Sequence, residues 1–149
     1  MSAPAAGRIR LSDPSELIAA VPHLLGFHPR ESAVLIALHG KSLGLTMRTD
    51  LVADDEAPRL AEYVLTPITR QRPTGVALVV IGGGTPDGDL PRRVLVDALG
   101  DALSGAGIPL VHAVWTAETA GGQPWCCYDD PDCAGTVPDP AISPLAAAT

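Results

Sequence analysis

The residue run 75–81 constrains the fold more than any other part of the chain. It reads Gly-Val-Ala-Leu-Val-Val-Ile and has no polar side chain, as expected of a central strand that is covered on both faces. An amphipathic helix follows, with Leu95, Leu99 and Leu103 on one side, and a second strand is predicted over 108–115. Because a strand, a helix and a strand with short connections form a βαβ unit, we expect the two strands to be parallel.

Two further strands are predicted before this unit. Residues 32–38 are almost entirely apolar, and residues 42–50 alternate between apolar and small or polar side chains. The short turn 39–41 joins them, so they should form an antiparallel hairpin. The predicted fold class is therefore α/β, a mixed sheet with an antiparallel hairpin and a parallel βαβ unit and with helices packed on the sheet.

The start of the first helix is marked by three residues. Asp13 is a typical N-cap, Pro14 suits the first helical position and Glu16 suits the first turn. Pro22 should kink this helix or begin a second short turn, which ends at Gly26. Another helix with one apolar face is predicted between the hairpin and the central strand.

The chain of 149 residues is expected to form a single domain, residues 1–149. A short edge strand is predicted over 7–11. Residues 116–140 form a segment rich in cysteine and proline that we expect to be irregular after a strand or hairpin at 123–128. A last helix begins at 143 and looks truncated, because residues 145–149 are too few to form a stable helix alone.

The charge balance excludes several classes of partner. The chain has 10 Lys+Arg and 17 Asp+Glu, a net charge of −7, and only two Trp, two Tyr and one Phe. Nucleic-acid binding calls for a basic surface and often for stacking aromatic rings, so we expect no nucleic-acid partner. No apolar run approaches the roughly 18 residues of a membrane span, and no signal peptide is visible. We therefore expect a cytoplasmic protein without a membrane partner.

The cysteines are the most chemically suggestive side chains. Cys126, Cys127 and Cys133, with His112 from the preceding strand, could supply four zinc ligands. The spacing differs from common zinc sites, and two adjacent residues on a strand point to opposite faces. Free structural thiols, or a redox or disulfide pair, are the alternatives. In a reducing compartment we expect thiols or metal ligands, and of these we favour free structural thiols. We therefore expect no cofactor, and zinc at these cysteines is the alternative.

A turn of three glycines follows the central strand, at residues 82–84. Open α/β sheets bind ligands at this end of their strands. The turn does not match a phosphate-binding loop, and Asp87 and Asp89 place negative charge where a phosphate would approach. We interpret these two aspartates as caps of the following helix.

Arg48 and Asp50 are the candidate binding pair. Because they are two residues apart on a strand, they share one face and could hold a substrate carboxylate or provide a general base. We favour the other interpretation, a salt bridge at the margin of the sheet, because nothing nearby supplies a nucleophile or a second catalytic group.

Several short segments together resemble an uncharacterised actinobacterial family, domain of unknown function 4192. The resemblance lies in Leu11-x-Asp13-Pro14, Leu24-Leu25-Gly26-Phe27-x-Pro29-x-x-Ser32, Arg48-x-Asp50-Leu51, Trp125-x-Cys127 and Ser143-Pro144. The resemblance implies a cytoplasmic, actinobacterial protein but no activity, substrate or cofactor. Because members of the family usually continue further, it also implies that this chain is a short member or the N-terminal half of one.

The sequence contains no complete catalytic constellation, so we expect a binding or protein-interaction module without catalytic activity. A protein partner or self-association as a homodimer would cover the apolar side of the last helix. The alternative is a metal- or nucleotide-dependent enzyme. Its site would lie at the ends of the sheet strands, between the glycine turn, the strand of Arg48 and Asp50, and the cysteines.

Overall fold

The computed structural model describes residues 13–84, 89–130 and 132–139, and six strands in these ranges form one mixed sheet. The strands are β1 (Ser32–His39), β2 (Ser42–Asp50), β3 (Gly75–Ile81), β4 (Leu110–Thr116), β5 (Pro124–Cys127) and β6 (Ala134–Thr136). Their order across the sheet is β2-β1-β3-β4-β5-β6. β3 and β4 are parallel, and every other neighbouring pair is antiparallel. The predicted hairpin, βαβ unit and α/β class are confirmed.

Three α-helices accompany the sheet in the described ranges: α1 (Pro14–Leu25), α2 (Ala57–Arg70) and α3 (Arg93–Gly105). The start of α1 is confirmed, because the Asp13 carboxylate accepts a hydrogen bond from the Ser15 backbone N–H. The helix continues through Pro22 without a second turn. It ends at Gly26, which has a φ of +85° and donates its N–H to the Pro22 carbonyl.

The helices cover both faces of the sheet. α2 and α3 pack on one face, where their apolar sides meet residues such as Leu35 and Leu78. α1 packs on the other face against Val34, Ile36 and Val79. Since neighbouring residues of one strand point to opposite faces, β1 and β3 are buried almost throughout, as their uniformly apolar sequences predict. Each such buried Val, Leu or Ile side chain stabilises the fold by roughly 1.5–3 kcal/mol relative to an exposed one.

The main departure from the prediction lies in the segment after β4. The segment expected to be irregular contains β6, which pairs with β5. This strand has three residues, Ala-Gly-Thr, which are too few and too small to show an alternating pattern. The strand predicted over 7–11 and the helix predicted from 143 lie outside the described residues.

None of the described helices combines the length and the apolar character that crossing a bilayer requires.

Candidate functional site

One edge of the sheet collects the carboxyl ends of β2, β3 and β4. These three strands run in one direction, because β2 and β3 are both antiparallel to β1 and β4 is parallel to β3. The pairing aligns their last residues with the first residue of β1 and the second residue of β5, in the row Asp50, Ser32, Ile81, Thr116 and Trp125. We call these strand ends, with the described parts of loops 26–31, 51–53, 82–92 and 117–123, the carboxyl edge. Ligands of open α/β sheets usually bind at this position.

Buried polar side chains are concentrated at the carboxyl edge. The polar residues buried in the described ranges are Ser32, Thr116 and Thr119, and all of them lie here. The Ser32 hydroxyl donates to the Arg30 carbonyl at 2.7 Å. The Thr119 hydroxyl lies 2.6 Å from Nδ1 of His28 and thereby connects two of the loops. The edge is thus a polar, hydrogen-bonded end of an otherwise apolar sheet.

The glycine turn is held by hydrogen bonds from two segments, the end of β4 and loop 26–31. The Trp115 indole N–H donates to the Gly82 carbonyl at 2.8 Å, and the Gly83 N–H donates to Oε2 of Glu31 at 3.0 Å. All three glycines have positive φ, at +82°, +80° and +115°. L-residues with a side chain rarely adopt this backbone, so the turn depends on glycine.

Two residues with side chains share this left-handed conformation at the carboxyl edge. Glu31 has a φ of +48° and Arg92 a φ of +62°, and Arg72 is the other such residue outside glycine in the described chain. Positions like these are strained by about 1–3 kcal/mol each and persist where the surroundings hold them. The backbone just before Arg92 is fixed by a hydrogen bond, because the Tyr128 hydroxyl donates to the Pro91 carbonyl at 2.5 Å.

The Arg92 side chain crosses the glycine turn. A Cβ placed on Gly83 would lie 2.9 Å from Cγ of Arg92 and 3.2 Å from Cδ1 of Leu51, so the side chain rests where only glycine leaves room. Nη1 of Arg92 donates to the Val52 carbonyl at 3.4 Å, a long hydrogen bond. Nε is buried and has no hydrogen-bond partner. Leaving a buried donor unsatisfied costs about 1–3 kcal/mol.

The neighbouring Arg93 is fully engaged. Its guanidinium bonds both carboxylate oxygens of Asp89, donates to the Tyr128 carbonyl at 3.2 Å and lies 5.4 Å from the centre of the Tyr128 ring. The hydrogen bond from Arg93 lowers the pKa of Asp89, and Asp89 raises the pKa of Arg93. The predicted capping role of Asp89 is wrong, because α3 begins at Arg93 with Arg92 as its N-cap. Asp87, the other predicted cap, lies outside the described residues.

The predicted binding pair also lies at the carboxyl edge. Nη1 of Arg48 is 3.1 Å from Oδ1 of Asp50 and donates to the Ser32 hydroxyl at 2.7 Å. The two side chains share a face, as the spacing predicts, and they form the salt bridge that we favour from the sequence. Asp50 is 82% exposed and Arg48 32% exposed, so both can be reached from solvent. Whether they bind a ligand stays a prediction.

The family model described as Domain of unknown function (DUF4192) matches residues 14–149. The chain belongs to this family. The segment on which the resemblance mainly rests, residues 24–32, leads from the end of α1 to Ser32 at the carboxyl edge. No curated protein and no solved structure matches this DUF4192 chain.

The cysteines of the DUF4192 chain lie further along β5. Cys127 and Cys133 are joined by a disulfide, with their Cα atoms 5.4 Å apart, which differs from the expected thiols or metal ligands. The β5–β6 hairpin brings them together, since the Cys127 N–H donates to the Cys133 carbonyl at 2.8 Å. Cys126 keeps a free thiol and points to the opposite face, and burial raises its pKa.

No group of three or more His, Cys, Asp or Glu residues in the described ranges is arranged to hold a metal ion. A zinc site formed by Cys126, Cys127 and Cys133 stays a prediction, and it would require the disulfide to be reduced. The predicted three-part enzyme site is brought together only in part. The glycine turn and the strand of Arg48 and Asp50 meet at the carboxyl edge. The cysteines lie away from this edge, because Cys126 and Cys127 pair with Trp115 and Val114, one and two residues before the end of β4.

Sequence reasoning missed Glu31 and Arg92. Glu31 had no signal, because its partner Gly83 is 52 residues away. A sequence signal did exist for Arg92, because it lies just before a predicted helix that follows a central strand. Such connections often carry ligand-binding residues in α/β proteins.

Proposed function

We propose that this domain binds a small-molecule ligand at the carboxyl edge. The observation that carries the proposal is the concentration of left-handed backbone there, at Glu31, at Arg92 and in the glycine turn. Strained conformations are found preferentially at ligand-binding and catalytic sites, where they place backbone groups and side chains for contact.

The position in the fold supports the same proposal. Loops following three parallel strands converge at this edge, which is the usual ligand position in open α/β sheets. The edge also offers exposed charged groups of both signs, Arg48, Asp50 and Glu31, beside the turn. Small-molecule sites characteristically combine a few such polar groups with a fixed backbone.

Amide chemical-shift mapping by NMR tests the proposal. The protein is titrated at constant ionic strength with acetate, phosphate, ribose, adenine and imidazole as probes. We expect at least one probe to shift the amide signals of Glu31, Gly83 and Arg92. The amide of Gly40, which bonds Thr74 in the hairpin turn at the other end of β1, is the internal reference and should not move. Shifts absent from the carboxyl edge for every probe, or confined to other surfaces, would overturn the proposal.

The other expectations stay predictions. A protein partner or a homodimer was expected from the last helix, which lies outside the described residues. The enzyme alternative would use the same edge, so a ligand found there would be its first candidate substrate or cofactor. The cytoplasmic location and the actinobacterial origin are likewise predictions.

A further inference from the structure

Arg92 differs from two other arginines at the carboxyl edge, Arg48 and Arg93. Arg48 and Arg93 each bond an aspartate carboxylate. In the described ranges, Arg92 has no acidic partner, and its contacts amount to the long hydrogen bond from Nη1 to the Val52 carbonyl. Nε of Arg92 is buried without a partner. Nε–H is thus the one of the five guanidinium N–H donors that is buried without a partner.

The surrounding residues keep the Arg92 side chain in this position. Its backbone is left-handed, its Cγ lies over Gly83, and the residues on both sides of it are anchored, Pro91 by the Tyr128 hydroxyl and Arg93 by Asp89. A flexible surface arginine would need none of these constraints. The fold thus places a cation beside the glycine turn with one buried donor, Nε–H, unsatisfied.

The charges nearby favour an anion as the missing partner. The Asp89 carboxylate, which could have repelled an anion from this end of α3, is bonded by both oxygens to Arg93. The Glu31 carboxylate accepts the Gly83 N–H but keeps its negative charge, so the anion would bind on the side of Arg92 that faces away from Glu31. α3 has no side-chain cap and no acidic residue in its first turn. Its first backbone N–H groups would therefore add to the attraction that the Arg92 guanidinium exerts.

We infer that Arg92 anchors an oxyanion of the ligand, a carboxylate or a phosphate group, beside the glycine turn. This inference rests on the proposed function and names its ligand class. Both groups present the oxygen geometry that a guanidinium binds with two parallel hydrogen bonds, which a lysine cannot reproduce.

The test extends the NMR titration to variants, with acetate and phosphate as the two oxyanion probes and chloride keeping the ionic strength constant. We expect either probe or both to shift the Gly83 and Arg92 amides of the wild-type protein. Arg92→Gln should weaken that binding by about tenfold or more. Arg92→Lys, which keeps the charge, should weaken it less but measurably. A response to phosphate alone or to acetate alone identifies the oxyanion, and either supports the inference.

Arg72→Gln is the matched control. Arg72 is also a left-handed arginine, with a φ of +50°, but it is exposed and follows α2 at the other end of the sheet. This variant should bind the probes as the wild type does. If Arg92→Gln does not fold, the affinities of Arg92→Lys and of the wild type for acetate and phosphate are compared instead. Equal affinities of these two proteins would overturn the inference.

Two outcomes separate this inference from the proposed function. If neutral probes shift the carboxyl edge but acetate and phosphate do not, or if Arg92→Gln leaves oxyanion binding unchanged, the inference about Arg92 fails while the proposed function stands. If no probe shifts the carboxyl edge, both fail.

Discussion

Replacing Gly83 by alanine tests directly whether Arg92 is held over the glycine turn. Gly83 has a φ of +80°, and a Cβ there would lie 2.9 Å from Cγ of Arg92 and 3.2 Å from Cδ1 of Leu51. The substitution therefore has two consequences. It puts a residue with a side chain into left-handed backbone, and it forces the Arg92 and Leu51 side chains to move.

The two consequences have different magnitudes. Left-handed backbone costs an alanine about 1–2 kcal/mol, and the lower entropy of alanine in the unfolded chain offsets about 0.4–1 kcal/mol of that. Displacing packed neighbours adds about 1–3 kcal/mol. We therefore expect Gly83→Ala to lower the free energy of unfolding by roughly 1–4.5 kcal/mol.

Gly26→Ala is the control, because its φ is +85° and nothing lies within 4 Å of the added Cβ. Only the backbone effect remains there, so we expect a loss of about 1 kcal/mol or less. The assay is urea unfolding followed by tryptophan fluorescence, in which Trp115 reports on the turn because its indole bonds the Gly82 carbonyl. Equal losses for the two variants would refute the placement of Arg92 over Gly83.

Three further predictions concern the core and the hairpin. Trp115→Phe should lower the free energy of unfolding by about 1–3 kcal/mol more than Trp125→Phe does. The first substitution removes the hydrogen bond to the Gly82 carbonyl, whereas the second removes a buried indole N–H that has no partner. Similar urea midpoints for the two variants would contradict this. Cys127→Ser should lower the free energy of unfolding by about 2 kcal/mol under oxidising conditions, because the disulfide closes a short loop. With a reductant present the loss should be much smaller. An equal loss in both conditions would show that packing, and not the disulfide, is responsible. Burial raises the pKa of Tyr128, so the stability it contributes is complete below the pKa of about 10 in the unfolded chain and falls as the pH rises above it. Between pH about 9 and 11, the urea midpoint should therefore decline less steeply for Tyr128→Phe than for the wild type. The control is Tyr63→Phe, at an exposed tyrosine, whose midpoints should follow those of the wild type.

The parts of the fold that could be predicted depend on local signals. The cap at Asp13 acts on Ser15, two residues away, and the end of α1 at Gly26 depends on one residue that tolerates a positive φ. The continuous apolar run of β3 and the amphipathic pattern of α3 likewise predict their elements without reference to the rest of the chain. Where local signals were short, as in β6, the element was missed.

The candidate site could be predicted only in part. The glycine turn and the pair Arg48 and Asp50 were recognised because each is a pattern within a few residues. Glu31 and Arg92 were missed because their roles come from distant partners, Gly83 and Val52, which are 52 and 40 residues away in the chain. No periodicity or spacing encodes such contacts.

Apolar periodicity, caps and the length of the connection are enough to predict the α/β class, the order of the helices and strands from α1 to β5, and the parallel pairing of β3 and β4. Only the tertiary structure decided that β1 lies between β2 and β3, which aligns three strand ends at one edge. It also decided that Arg92 lies across the glycine turn without an acidic partner among the described residues. Strand neighbours and side-chain partners are chosen by packing between segments far apart in the chain, and that choice exists only once the whole core has formed.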